Sequence, residues 1–137
     1  MSRIINPESA GKERIRLSKA VVLAIRELAK QTTPGPESRD LAAFISLALA
    51  IVSETIDISV AAWEKRGYWV KADKFRMEWA WSGQLAIKMD QAVNTDNWEN
   101  VALIAAQIAQ KLNRTVVPPG NRLGHPWVGA WDELRRR

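Results

Sequence analysis

Two acids three residues apart in an otherwise apolar stretch are the first residues whose types and spacing could do chemistry. Glu54 and Asp57 are the only charged side chains between Leu41 and Trp63, and on a helix that spacing puts both on one face, where two carboxylates can share a divalent cation. Glu37 and Asp40 repeat the spacing upstream. Other chemistries lack their parts. The chain has no cysteine, which excludes thiol catalysis, disulfides and thiolate metal sites, and its single histidine, His125, stands before a proline in the tail. One histidine without a second His or Cys is a poor start for a transition-metal site, and nothing near it recommends Ser/His/Asp catalysis. Ala10-Gly11-Lys12-Glu13 has the look of a phosphate-loop end, but the first glycine, the Ser or Thr after Lys12 and a preceding strand are all missing.

The E-x-x-D pairs at Glu37/Asp40 and Glu54/Asp57, with residues 41–53 between them, resemble the paired acidic motifs of the all-α nucleoside-triphosphate pyrophosphohydrolases. The resemblance implies that the four carboxylates hold Mg²⁺ against substrate phosphates. It is confined to residues 37–57, and that family sets its two pairs on facing helices, whereas no break separates Asp40 from Glu54 here. The acids of the first helix, Glu13 and Glu27, are isolated among bases and offer no replacement pair. The alternative places Asp57 on a solvated or partner-facing strip and pairs Glu54 with a nearby Arg or Lys. An enzyme shows a convergent cluster of titratable groups, which this chain does not, so the expectation is a non-enzyme without cofactor, Mg²⁺ entering only with the hydrolase reading.

Cations and tryptophans make the other candidates. Lys12, Arg16, Lys19, Arg26 and Lys30 line up on one side of the first helix, either as a solvated face or as a strip that tracks phosphates. Trp81 falls off the main seam of its helix between Lys74 and Lys88, so it either stacks a base beside phosphate contacts or packs against a second neighbouring helix. Near the C-terminus Trp127, Trp131 and Leu134 share one side at i, i+4, i+7, ready to dock on the bundle or on a partner.

The elements that must carry these residues read as helices. Asn6, Pro7 and Glu8 announce a first helix that runs to about Gln31 and turns Ile15, Leu17, Val21, Val22, Ile25, Leu28 and Ala29 inward. Pro34, Gly35 and Pro36 break it. The central helix then runs from Pro36 or Ser38 to about Arg66, with an apolar sector about 200° wide that demands cover on most sides. Its remaining strip is mostly small residues, Ala43, Ser46, Ala50, Ser53, Asp57, Val60 and Glu64, and is either a place where a second helix approaches closely or the solvated side. Gly67 offers a left-handed stop, and a third helix from about Tyr68 to Ala92 carries the seam Tyr68, Ala72, Phe75, Trp79, Ser82, Ala86, Met89 and Val93. A second line, Met77, Trp81 and Leu85, lies beside it. Asp96 and Glu99 have capping-box spacing for a fourth helix ending near Asn113, and a short helix follows Pro126.

The expected fold is therefore all-α: an antiparallel four-helix bundle over residues 1–113, and a C-terminal tail, 114–137, with a short helix and aromatic docking residues. At 137 residues one core suffices without staples. No h-region opens the chain, and the uncharged run Leu41–Ser53 is shorter than the roughly 20 residues a bilayer needs, so a cytoplasmic protein with no membrane contact is expected. The net charge of +5 leans toward polyanions. Six of the ten aromatics fall between Trp63 and Trp81. The functional expectation is a non-enzymatic interaction protein, similar in size, helicity and charge to the small helical subunits of RNA-guided effector complexes. Such a subunit binds a protein partner or itself, and its basic surface suits nucleic acid. A self-associating scaffold that binds no nucleic acid is the third reading.

Overall fold

The computed structural model describes residues 6–137, which form five helices and, among the described residues, no strand. They are α1 (Pro7–Ala29), α2 (Pro36–Lys65), α3 (Trp69–Asn94), α4 (Trp98–Lys111) and α5 (Ala130–Arg135). Short connections force consecutive long helices to run antiparallel. α2 packs against α1, α3 and α5, α4 packs on α3, and α1 reaches α4. The four long helices make the bundle and the tail folds back onto α2.

Each boundary has a local cause. Asn6 Oδ1 accepts the Ser9 N–H at 2.9 Å and Pro7 fills the first turn of α1, where its missing donor costs nothing. Pro36 starts α2, and the Gly35 N–H donates to Ser38 Oγ, which itself donates to Gln31 Oε1. At the other end of α2, Tyr68 N–H bonds to Trp63 O at 2.9 Å and Gly67 N–H to Glu64 O at 3.0 Å, with Gly67 at φ +83°. That pair of bonds is the Schellman termination, and a glycine takes its left-handed residue without a Cβ clash. The chain turns at Gly67.

The α3–α4 connection uses the same device with a different residue. Asn97 N–H bonds to Ala92 O and Asp96 N–H to Val93 O, and Asp96 sits at φ 52°. Asp96 is thereby spent on the turn, so the cap of α4 is Asn97, whose side chain accepts the Asn100 N–H at 3.2 Å. The capping box expected from Asp96 and Glu99 is not what forms. The tail helix also begins later than expected, at Ala130, leaving Trp127 in the turn ahead of it.

Leu41, Ile45, Leu49 and Val52 of α2 are fully buried and meet Val21, Met89, Val93, Val101 and Ile108 from the other long helices. A smaller cluster at the far end of α2 and the start of α3 joins Ile56, Val60 and Ala72 to Trp63, Phe75 and Trp79. α3 covers the small-residue strip of α2. Ser46 Oγ donates to the Ala86 carbonyl at 2.8 Å, and a Cβ on Gly83 would lie 3.0 Å from Ser53 Oγ. Small side chains on both sides are what let the two backbones come so close. Further along, Asp57 is exposed and Glu64 reaches Arg76 of α3.

Four positions depart from the helical pattern. Ile15 and Ala29, counted with the inner half of α1, are exposed, Ile15 at 59 %; Tyr68 precedes α3 and is 54 % exposed; Met77 is 78 % exposed, so only Trp81 and Leu85 of its line face the core. α2 also differs from the estimate based on its uncharged run. It is long and apolar enough to cross a membrane, with mean hydropathy 1.9 over an 18-residue window that holds no more than two charged residues, and 61 % of that window is buried inside the bundle. That burial is what a core helix requires.

Candidate functional site

The four carboxylates of the hydrolase pattern do not converge. Asp40 is engaged with the tail: Oδ2 accepts the Gly129 N–H at 3.2 Å and Oδ1 the Trp131 N–H at 2.9 Å. These donors flank the first turn of α5, where a carboxylate is the favoured cap, so Asp40 fastens the tail to α2. Glu37 is exposed in the first turn of α2, and Glu54 and Asp57 are exposed with no ion pair among the described residues. Asp40 and Glu54 lie four turns apart, roughly 21 Å along the axis. One ion cannot span them. Among the described residues no group of three or more His, Asp or Glu side chains could hold a metal.

The basic stripe of α1 is present but partly neutralised. Arg16 pairs with Glu13 at 2.9 Å and Lys30 with Glu27 at 3.0 Å, each through the i,i+3 neighbour that the line of bases conceals in sequence. Arg26 donates to the Val117 carbonyl at 3.3 Å, holding the segment after α4 against α1. Lys12 and Lys19 have no hydrogen-bond or ion-pair partner among the described residues. On α3, Lys74 and Lys88 are exposed while Trp81 is half-buried against the core, its ring stacked on Trp79 at 5.6 Å and 25°. One face of Trp81 is therefore occupied. Trp127 and Leu134 are buried, and Trp131 is half-buried with Arg135 over its ring. All three tail residues pack on the bundle of their own chain.

The surface that departs most from a closed monomer lies at the α2–α3 turn. Tyr68, Trp69 and Val70 are 54 %, 60 % and 84 % exposed in succession. Cations surround them in sequence: Lys65 and Arg66 before the turn, Lys71 and Lys74 after it, all exposed. The local acids, Glu64 and Asp73, are both taken by Arg76, at 3.0 and 2.6 Å, and those two bonds raise the Arg76 pKa above its ordinary value. Lys71 lies 4.6 Å over the Trp63 ring, which holds it beside the turn as a cation–π contact. The result is an aromatic tip within a positive collar. Sequence reasoning placed Tyr68 on a buried seam and passed over Trp69 and Val70. The signal that could have found them was there, since residues immediately after a glycine stop lie outside the helix that would bury them.

Comparison of the chain with family models, with characterised proteins and with solved structures finds no match.

Proposed function

We propose that the chain is a non-enzymatic helical interaction protein, a small cytoplasmic subunit of a larger assembly, whose α2–α3 tip contacts single-stranded nucleic acid. The observation that carries this reading is the pairing of two exposed aromatic rings, Tyr68 and Trp69, with four exposed cations, Lys65, Arg66, Lys71 and Lys74. Bases stack on aromatic faces without regard to sequence, and phosphates are tracked by cations spaced around them. Lys12 and Lys19 on α1 and Lys88 on α3 extend the positive surface. A second copy of the chain is a weaker occupant for the tip, because a two-fold contact there would set each cationic collar against its own copy.

The test is binding of a fluorescein-labelled single-stranded RNA and its DNA counterpart at low salt. Trp69→Ala and Tyr68→Ala should each weaken binding by about tenfold, since a stacked base contributes about 1–3 kcal/mol. Both side chains are largely exposed, so folding should be unaffected. Wild-type affinity in both variants, or no binding by the wild type, would overturn the reading.

A further inference from the structure

We infer that the cleft between the N-terminal half of α1, Trp79 of α3 and the segment after α4 is a binding site for a small organic phosphate with a planar body, of nucleoside-monophosphate class. The cleft has a volume of about 410 Å³ and is lined by Arg14, Lys19 and Arg114 as cations and by Ser18 and Thr115 as hydroxyls, with Trp79 among its walls. No acid lines it. The volume falls in the range that holds a small-molecule ligand, about 300–1,000 Å³.

Arg14 is the residue that sets this cleft apart from a solvated groove. Its guanidinium stacks 4.8 Å over the Phe75 ring, and Nη1 donates to Thr55 O, Thr55 Oγ1 and Ser59 Oγ, each at 3.3 Å. Nη2 and Nε make no hydrogen bond among the described residues, and no carboxylate pairs with Arg14. A half-buried guanidinium is costly unless its charge is compensated. Burial pushes the Arg14 pKa down from its ordinary value. Nη1 rests on three neutral oxygens at the long end of hydrogen-bond distance, and the Nη2/Nε edge has no anion among the described residues. A phosphate is the planar fork's natural complement, and Lys19 and Arg114 stand on the same cleft to share its charge.

The remaining walls select the rest of the ligand. Ile15 and Val116, 59 % and 72 % exposed, flank the opening, and Trp79 is only half-buried. Ile15 departs from the inward face of α1 because it borders this cleft instead of the core. An apolar rim beside a cationic pocket fits a flat ring joined to a phosphate, and suits inorganic phosphate alone less well.

The experiment is calorimetric titration of the intact protein with adenosine 5′-monophosphate, adenosine, inorganic phosphate and a short single-stranded RNA. Adenosine 5′-monophosphate should bind, with adenosine and inorganic phosphate each weaker by roughly tenfold or more. Arg114→Gln, an exposed position, should weaken it by a similar factor and leave thermal melting unchanged; Arg14→Gln should abolish it. Undiminished affinity in Arg114→Gln, or equal affinity for adenosine, overturns the assignment. So does binding of the RNA alone, with no adenosine 5′-monophosphate bound at millimolar concentration. The site stands apart from the α2–α3 tip, so Trp69→Ala should leave the adenosine 5′-monophosphate titration unchanged, and a loss of that binding would also count against it.

Discussion

At the scale of single residues, one carboxylate shows how a chemical motif becomes a fastening. Asp40 belongs to an acidic pair by spacing, but its two oxygens take the N–H groups of Gly129 and Trp131. Asp40→Ala should therefore leave two donors at the start of α5 without their partner and cost about 1–2 kcal/mol, read as a lower urea midpoint. Proteolysis should then cut ahead of α5 before the bundle itself unfolds, because only the tail loses its anchor. An unchanged midpoint and an uncut tail would mean that Trp127 and Leu134 hold the tail unaided. The acidic spacing was plain in the sequence; the bond across some ninety positions of chain was not, because nothing local records which backbone donors a distant tail will bring. Arg14 is a parallel case. The sequence shows it beside Glu13 on a basic helix, yet it turns inward to Thr55, Ser59 and Phe75.

At the scale of elements, the helices follow from periodicity, the α1–α2 turn from Pro34 to Pro36, and the α2–α3 and α3–α4 turns from Gly67 and Asp96 in the left-handed region. Gly67→Ala should cost about 1 kcal/mol or more, since alanine at φ +83° is strained while the surrounding space is open. The α2–α3 seam gives a sharper pair of outcomes. Gly83→Ala gains about 1 kcal/mol of helix propensity but sets its Cβ 3.0 Å from Ser53 Oγ, so its melting temperature should stay close to wild type. Gly83→Leu cannot be accommodated by a small shift of one hydroxyl and should destabilise by about 1–3 kcal/mol. If leucine is tolerated as well as alanine, the two helices do not approach as closely as the Ser46–Ala86 bond requires. The small-residue strip of α2 was legible as a place for close approach. Which helix would fill it was not, since both α1 and α3 have an apolar face to offer, and the partner is decided by the Ser46–Ala86 bond and by Gly83 lying opposite Ser53.

At the scale of the whole molecule, the bundle closes over its own core, and two of its surfaces set exposed apolar side chains beside cations, the aromatic tip after Gly67 and the cleft at Arg14. Helical periodicity explains why the tip eluded the sequence: it sorts residues by face, and Tyr68 and Trp69 lie where one helix has stopped and the next has only begun to find cover. The net charge of +5 says nothing by itself about where a polyanion would sit, whereas pairing does. Arg16, Lys30 and Arg76 are tied to acids, and among the described residues Lys65, Arg66, Lys71 and Lys74 are not. The salt dependence of single-stranded RNA binding tests the central claim most directly, measured for the wild type, for the tip variant Lys65→Gln/Arg66→Gln/Lys71→Gln/Lys74→Gln, and for the α1 variant Lys12→Gln/Arg16→Gln/Lys19→Gln/Arg26→Gln. The tip variant should lose most of the affinity and flatten the logarithmic salt slope by about 2–3, as expected for removing four phosphate contacts on a single strand. The α1 variant should lose less, because two of its four cations already have partners in the protein. Equal slopes for the wild type and the tip variant would contradict the account.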